Sequence, residues 1–131
     1  EGISESFVFA GRKSIEEVPK WMQAADVLVL PSLSEGRPNV VLEAQASGLP
    51  VIATRVGGTA ELILEGETGF LVEPENSGQI IDALTKLRVD ENLRKKMGCR
   101  ASKHVMESGW TWEQNALKLG HLYNELLEGV S

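Results

Sequence analysis

The chain has 131 residues, of which 42% are apolar and 24% charged, and a net charge of −6. That length sets one domain able to build its own core, and the negative balance excludes a nucleic-acid binder, whose affinity rests on neutralising phosphates. Cys99 is the only cysteine, which excludes an internal disulfide or a cysteine zinc cluster and fits a reducing, cytoplasmic compartment.

The chain opens Glu1-Gly2-Ile3, without methionine, and is expected to be a piece of a longer polypeptide. Phe7-Val8-Phe9-Ala10 reads as the first strand, continuously apolar as parallel strands covered on both faces are. Ser14-Ile15-Glu16-Glu17 carries a capping-box pattern and predicts a helix with Val18, Trp21, Met22 and Ala25 on one face. Val27-Leu28-Val29-Leu30 is the second strand. The apolar run around it, residues 24–33, is broken by Asp26, Pro31 and Ser32 and falls short of the roughly 18 residues of a membrane span. A helix follows over residues 39–47, closed by Gly48 and Pro50.

Val51-Ile52-Ala53 is the third strand, residues 59–63 a short helix capped by Thr59, and Phe70-Leu71-Val72 the fourth strand. Beyond Pro74 the pattern turns helical over residues 77–87, 90–104 and 111–127. His104 and His121 stand far apart there, so no metal site is expected. The fold class is α/β: a Rossmann-like parallel sheet of about four strands with flanking helices. Residues 1–131 form a single domain, with a core over 7–75 and a helical tail over 76–131.

Ligands of open parallel α/β sheets sit beyond the carboxyl ends of the strands. There the chain places Gly11-Arg12-Lys13, a long loop over residues 31–39, and Thr54-Arg55-Val56-Gly57-Gly58-Thr59. The long loop ends on a helix start, whose free amides (Asn39, Val40 and Val41; Pro38 has none) suit a phosphate. Glu43 lies a turn further in and Glu35 in the loop before it, so hydroxyls could be held on both sides of a diphosphate. Acids near a helix N-terminus also complement its dipole without any ligand, and the chemistry alone leaves both readings open.

The string Pro31-Ser32-Leu33-Ser34-Glu35-Gly36-Arg37-Pro38-Asn39-Val40-Val41-Leu42-Glu43-Ala44 resembles the retaining glycosyltransferases of family 4, with the GT-B fold. Their two glutamates are separated by seven residues, as Glu35 and Glu43 are. Ala25-Asp26, residues 46–53, Gly57-Gly58-Thr59-Ala60-Glu61, Gly69-Phe70-Leu71-Val72 and Trp110-Thr111-Trp112 follow the same family's pattern in order. The resemblance runs from about Phe7 to Leu127 and implies the C-terminal, donor-binding half of a GT-B enzyme.

By that resemblance Glu43 binds the ribose hydroxyls of a nucleotide-sugar donor such as a UDP- or GDP-sugar, and Glu35 contacts the donor sugar. Gly36, Arg37, Asn39 and Val40 border the diphosphate, and Gly11 and Arg12 the nucleobase. No metal and no cofactor beyond the donor is implied. Arg37-Pro38 departs from the Gly-Phe-Gly-type residues of many members, and Arg37 either meets the phosphate or faces solvent. The family's Arg and Lys clamp and its acceptor-binding N-terminal domain precede the segment matched here, so the fragment alone is expected to be inactive.

Other features carry two readings each. Gly57-Gly58 is either an anion-binding nest or a tight turn. The basic run over residues 86–103 is either a solvated helix face or an aid to the parent's association with a membrane surface. Trp110 and Trp112 either form a sugar platform or pack where the last helix begins. A non-enzymatic α/β interaction module and a nucleotide-sugar epimerase relative are the alternatives to a transferase.

Overall fold

The computed structural model of the chain describes residues 4–109, 124–125 and 127–129. After a short 3₁₀ turn over Ser4–Ser6, the elements run α1 (Val18–Ala24), β1 (Leu28–Leu30), α2 (Asn39–Ala46), β2 (Val51–Thr54), α3 (Thr59–Leu62), β3 (Gly69–Val72), α4 (Ser77–Val89) and α5 (Glu91–Ser108). The three strands form one parallel sheet in the order β1-β2-β3, with Val29 opposite Ile52 and Ile52 opposite Phe70.

The sheet is covered on both sides, which is why its strands read as unbroken apolar runs. Val51 and Ala53 join Met22, Val41, Ala44, Leu49, Leu62 and Ile63 in one cluster. Ile52, on the other face, joins Val72, Ala83, Leu87 and Met97 under α4 and α5. The first cluster is fastened by a polar residue on the face of α2 that carries Val41 and Ala44. Gln45 is fully buried, and its Nε2 donates to the Leu62 carbonyl at 2.9 Å and to Thr68 Oγ1 at 3.4 Å. Thr68 Oγ1 also accepts from the Leu64 amide at 2.9 Å, so α2, α3 and the turn before β3 share one polar knot.

Helix ends follow local chemistry. The capping box forms: Ser14 N donates to Glu17 Oε2 at 3.0 Å, and Glu17 N to Ser14 Oγ at 3.3 Å. Asn76 and Asp90 cap α4 and α5 through bonds from Gln79 N and Leu93 N. Helix α2 ends in a Schellman motif at Gly48, φ +81°, with Gly48 N on the Gln45 carbonyl and Leu49 N on that of Ala44.

Four expectations change. The predicted first strand does not form: Phe7, Val8 and Phe9 are 61%, 80% and 97% exposed, with no ladder partner among the described residues. A strand exists through its ladder and its covered faces, and residues 7–10 have neither, so the sheet holds three strands rather than four. Trp21 is half exposed beneath the Lys13 ammonium, 5.1 Å from the ring centroid, so only Val18 and Met22 of that stripe reach the core. Thr59 does not cap α3. Gly58 holds that position, and Thr59 is buried with its hydroxyl unpartnered among the described residues. The helix expected over 90–104 extends to Ser108, where Gly109 at φ +69° ends it. Trp110, Trp112, His121 and most of the helix expected over 111–127 lie outside the described residues.

The β3 edge is closed by side chains. Leu71 N donates to Glu65 Oε2 at 2.6 Å and Glu73 N to Gln79 Oε1 at 2.7 Å, occupying amides that would otherwise offer themselves to another strand. No helix of the described residues is long and apolar enough to cross a membrane.

Burial of His104 in α5 lowers its pKa, and the Arg100 guanidinium acts in the same direction against Glu107 and Glu67. The folded chain thus keeps this imidazole neutral where the unfolded chain would protonate it. Its contribution is fully present above the ordinary histidine value and is lost as pH falls below that value toward the folded pKa. A His104→Gln variant is expected to lose less of its thermal midpoint than the wild type between about pH 7 and about pH 5. Melting curves with equal acid slopes would contradict this.

Candidate functional site

Strands β1 and β2 are parallel neighbours, so the loops that leave their carboxyl ends lie side by side. The loop after β1, residues 31–38, carries Glu35; the turn after β2 carries Gly57 and Gly58. The two are locked together. Thr54 Oγ1, buried at the end of β2, donates to the Ser32 carbonyl. Gly58 N donates to the Gly36 carbonyl at 2.7 Å. Gly57 sits at φ +51°, and a Cβ there would lie 1.6 Å from the Glu35 carbonyl oxygen.

The two glycines therefore serve neither as a free anion nest nor merely as a turn. The Gly58 amide is spent on Gly36, and the missing side chains let the second loop lie against the first. Within the first loop, Ser32 Oγ donates to Glu35 Oε1 at 2.6 Å, which holds the half-buried carboxylate from one side.

Helix α2 starts directly behind this loop. Its N-cap is Pro38, with φ −72° and ψ 111°, which brings no side-chain cap. Val41 N turns back to the Pro38 carbonyl at 3.2 Å, so of the three amides expected to be free, that of Val41 is taken. Asn39 and Val40 stand in the first turn, where no preceding helical carbonyl can reach their amides. Glu43 is one turn further along α2 and exposed.

Glu35, Gly36, Arg37, Asn39 and Val40 thus occupy one continuous stretch at the sheet's carboxyl end, with Glu43 on the helix that leaves it. Gly11, at φ +69°, and Arg12 are exposed in the irregular segment before α1, and among the described residues no hydrogen bond ties them to that stretch.

A groove of about 550 Å³ lies elsewhere, between α5 and the turn before β3. It is lined by Glu67, Leu93, Lys96, Met97, Arg100 and Lys103, and neither Glu35 nor Glu43 nor the α2 start borders it. Part of the basic run is already used within the fold. Arg94 Nη1 donates to the Leu87 carbonyl, Lys95 pairs with Glu91, and Arg100 bridges Glu67 and Glu107.

What sequence reading missed here is the Thr54–Ser32–Glu35 network. Its only signal was a hydroxyl residue near the carboxyl end of each of two adjacent strands, and nothing local says that they meet.

The parallel α/β sheet, with its loop-to-helix junction at the carboxyl end, has the fold of a GT-B glycosyltransferase domain. Residues 1–104 match the family Glycosyl transferases group 1, and the chain belongs to that family. It is 39% identical over 125 residues to the D-inositol 3-phosphate glycosyltransferase of Corynebacterium urealyticum, covering 95% of this chain and 29% of that protein. The fold matches the sucrose-phosphate synthase of Thermosynechococcus elongatus at a TM-score of 0.90 with 31% identity, over 97% of this chain and 32% of that one. It matches Anabaena HepE, solved with UDP-glucose, at a TM-score of 0.76 with 26% identity, over 81% of this chain and 29% of that one. The chain thus spans less than a third of the length of each of these relatives.

Proposed function

We propose that the chain is the donor-binding domain of a retaining, metal-independent hexosyltransferase of family 4, which takes a nucleotide-diphosphate sugar. The observation that carries this reading is the uncapped start of α2, set between two carboxylates. A helix start with open amides and a partial positive charge attracts a diphosphate. Asn39 and Val40 supply the amides, and Gly36 and Arg37 border the same stretch.

Glu43 accepts hydrogen bonds from a ribose diol, as an acid can from vicinal hydroxyls. Glu35 meets the sugar at the far side of the diphosphate, and Gly11 and Arg12 border the base. Departure of the nucleoside diphosphate builds negative charge, which the helix terminus and basic side chains stabilise in place of a metal.

The relatives support this: one is by name a D-inositol 3-phosphate glycosyltransferase, and another was solved with UDP-glucose. Family membership favours a transferase over a non-enzymatic module or an epimerase. The parent polypeptide supplies the basic clamp and the acceptor-binding domain, and the fragment alone is inactive. The single cysteine supports a parent that works in the reducing cytoplasm.

The test is turnover by the full-length parent on UDP-glucose, UDP-N-acetylglucosamine, GDP-mannose and ADP-glucose, with D-inositol 3-phosphate among the acceptors. On the donor used, Glu43→Ala is expected to raise KM by about ten- to a hundredfold, the loss of hydrogen bonds to a charged acceptor. A KM that stays within twofold would remove Glu43 from the donor site.

A further inference from the structure

Glu35 does not stand alone. Its Oε1 accepts from Ser32 Oγ at 2.6 Å, and the Ser32 carbonyl accepts from the Thr54 hydroxyl. Thr54 is 2% exposed and belongs to β2, the central strand of the three, so the chain of bonds runs from the buried middle of the sheet to the carboxylate. The backbone of the same loop is held at two further points, the Glu35 carbonyl against Gly57 and the Gly36 carbonyl on the Gly58 amide.

We propose that Ser32 and Thr54 are positioning residues for Glu35, a role that rests on the reading of Glu35 as the group facing the donor sugar. Thr54 fixes where the Ser32 backbone lies, and Ser32 then spends its one proton on Oε1. Oε2 has no hydrogen-bond partner among the described residues, which leaves it as the oxygen that can engage the donor. A glutamate side chain has three torsions to freeze, and a hydroxyl bonded to one oxygen removes most of that freedom before the donor arrives. Because the serine proton is committed to the carboxylate, Ser32 itself is not a donor to the ligand. Its effect passes through Glu35.

The experiment uses the full-length parent with whichever of the four donors named above it turns over fastest. The variants are Ser32→Ala, Ser32→Thr, Glu35→Gln, Ser32→Ala with Glu35→Gln, and the pair Thr54→Val and Thr54→Ser. Ser32→Ala is expected to lower kcat about tenfold with KM within about twofold, because one bond to a charged group is lost and binding elsewhere is intact. Ser32→Thr restores most of that rate. In the Glu35→Gln background, Ser32→Ala costs less than about twofold more, since two residues acting as one unit are not additive. Thr54→Val reproduces the kcat loss and Thr54→Ser relieves it, with melting midpoints of all variants recorded so that a folding defect is seen separately.

If Ser32→Ala keeps the wild-type kcat while Glu35→Gln loses it, the positioning role is wrong and the donor-site reading stands. If the two losses simply multiply in the double variant, Ser32 acts independently of Glu35 and the proposal is equally overturned. If Glu35→Gln itself is silent, the donor-site reading fails, and the positioning role with it.

Discussion

Replacing Glu35 by alanine in the full-length parent is expected to lower kcat by about two to four orders of magnitude, the scale lost when a preorganised charge at a reacting centre is removed. KM for the donor should move far less, because the proposed site holds the diphosphate at the α2 terminus and the ribose at Glu43. The fold should also survive. Glu35 lies in a half-exposed loop whose backbone is clamped through carbonyls, by the Gly58 amide and the close approach of Gly57, and those contacts do not involve its side chain. Steady-state kinetics with a melting curve for the same preparation separate the two effects. An enzyme that keeps its wild-type kcat without this carboxylate would end the assignment of the site.

A second large effect is expected at the other end of α2, where function is not involved at all. Gly98 of α5 packs against the Schellman turn that closes α2, and a Cβ there would stand 2.0 Å from the Gly48 carbonyl oxygen and 3.1 Å from its carbon. In an isolated helix, Gly98→Ala would gain about 1 kcal/mol of helix propensity. Here the intruding methyl meets backbone, which cannot rotate away as a side chain can. Overpacking of a tight core costs about 1–3 kcal/mol, and more where backbone must move.

The clash is therefore expected to win, for a net loss of about 2 kcal/mol. For a chain of this size that is a drop of several degrees in Tm. Chemical denaturation of Gly98→Ala and wild type provides the check. Equal midpoints, or a more stable variant, would show that α5 does not approach α2 as described.

Most of what lies between residues 14 and 109 was legible in the sequence because it is set by short-range chemistry. The Ser14–Glu17 box and the Gly48 stop act within four residues of themselves, so a reader of the string meets every participant at once. The strands Leu28–Leu30, Val51–Thr54 and Gly69–Val72 were equally visible, since burial on both faces demands unbroken apolar runs. The spacing of Glu35 and Glu43 belongs to the same class, being a property of a loop and the helix that follows it.

Residues 7–10 mark the limit of that logic. They are at least as apolar as β2, yet a run becomes a strand only when a ladder partner and two covering layers are supplied from elsewhere in the fold. Composition states a demand, and only the assembled chain meets it or leaves it unmet.

The same division runs through the candidate site. By itself the sequence determined which residues flank the α2 start, because helix geometry carries Asn39, Val40 and Glu43 along one short segment. Only the tertiary structure decided how Glu35 is held. Thr54 reaches Ser32 across 22 residues of sequence, and Gly57 and Gly58 reach the loop across a similar span, because β1 and β2 are parallel neighbours whose loops leave on the same side. It also decided that Gln45, an ordinary polar residue on paper, lies in the core bonded to the Leu62 carbonyl. Such contacts depend on strand order and on packing of one layer against another, which are properties of the whole fold that no local pattern carries.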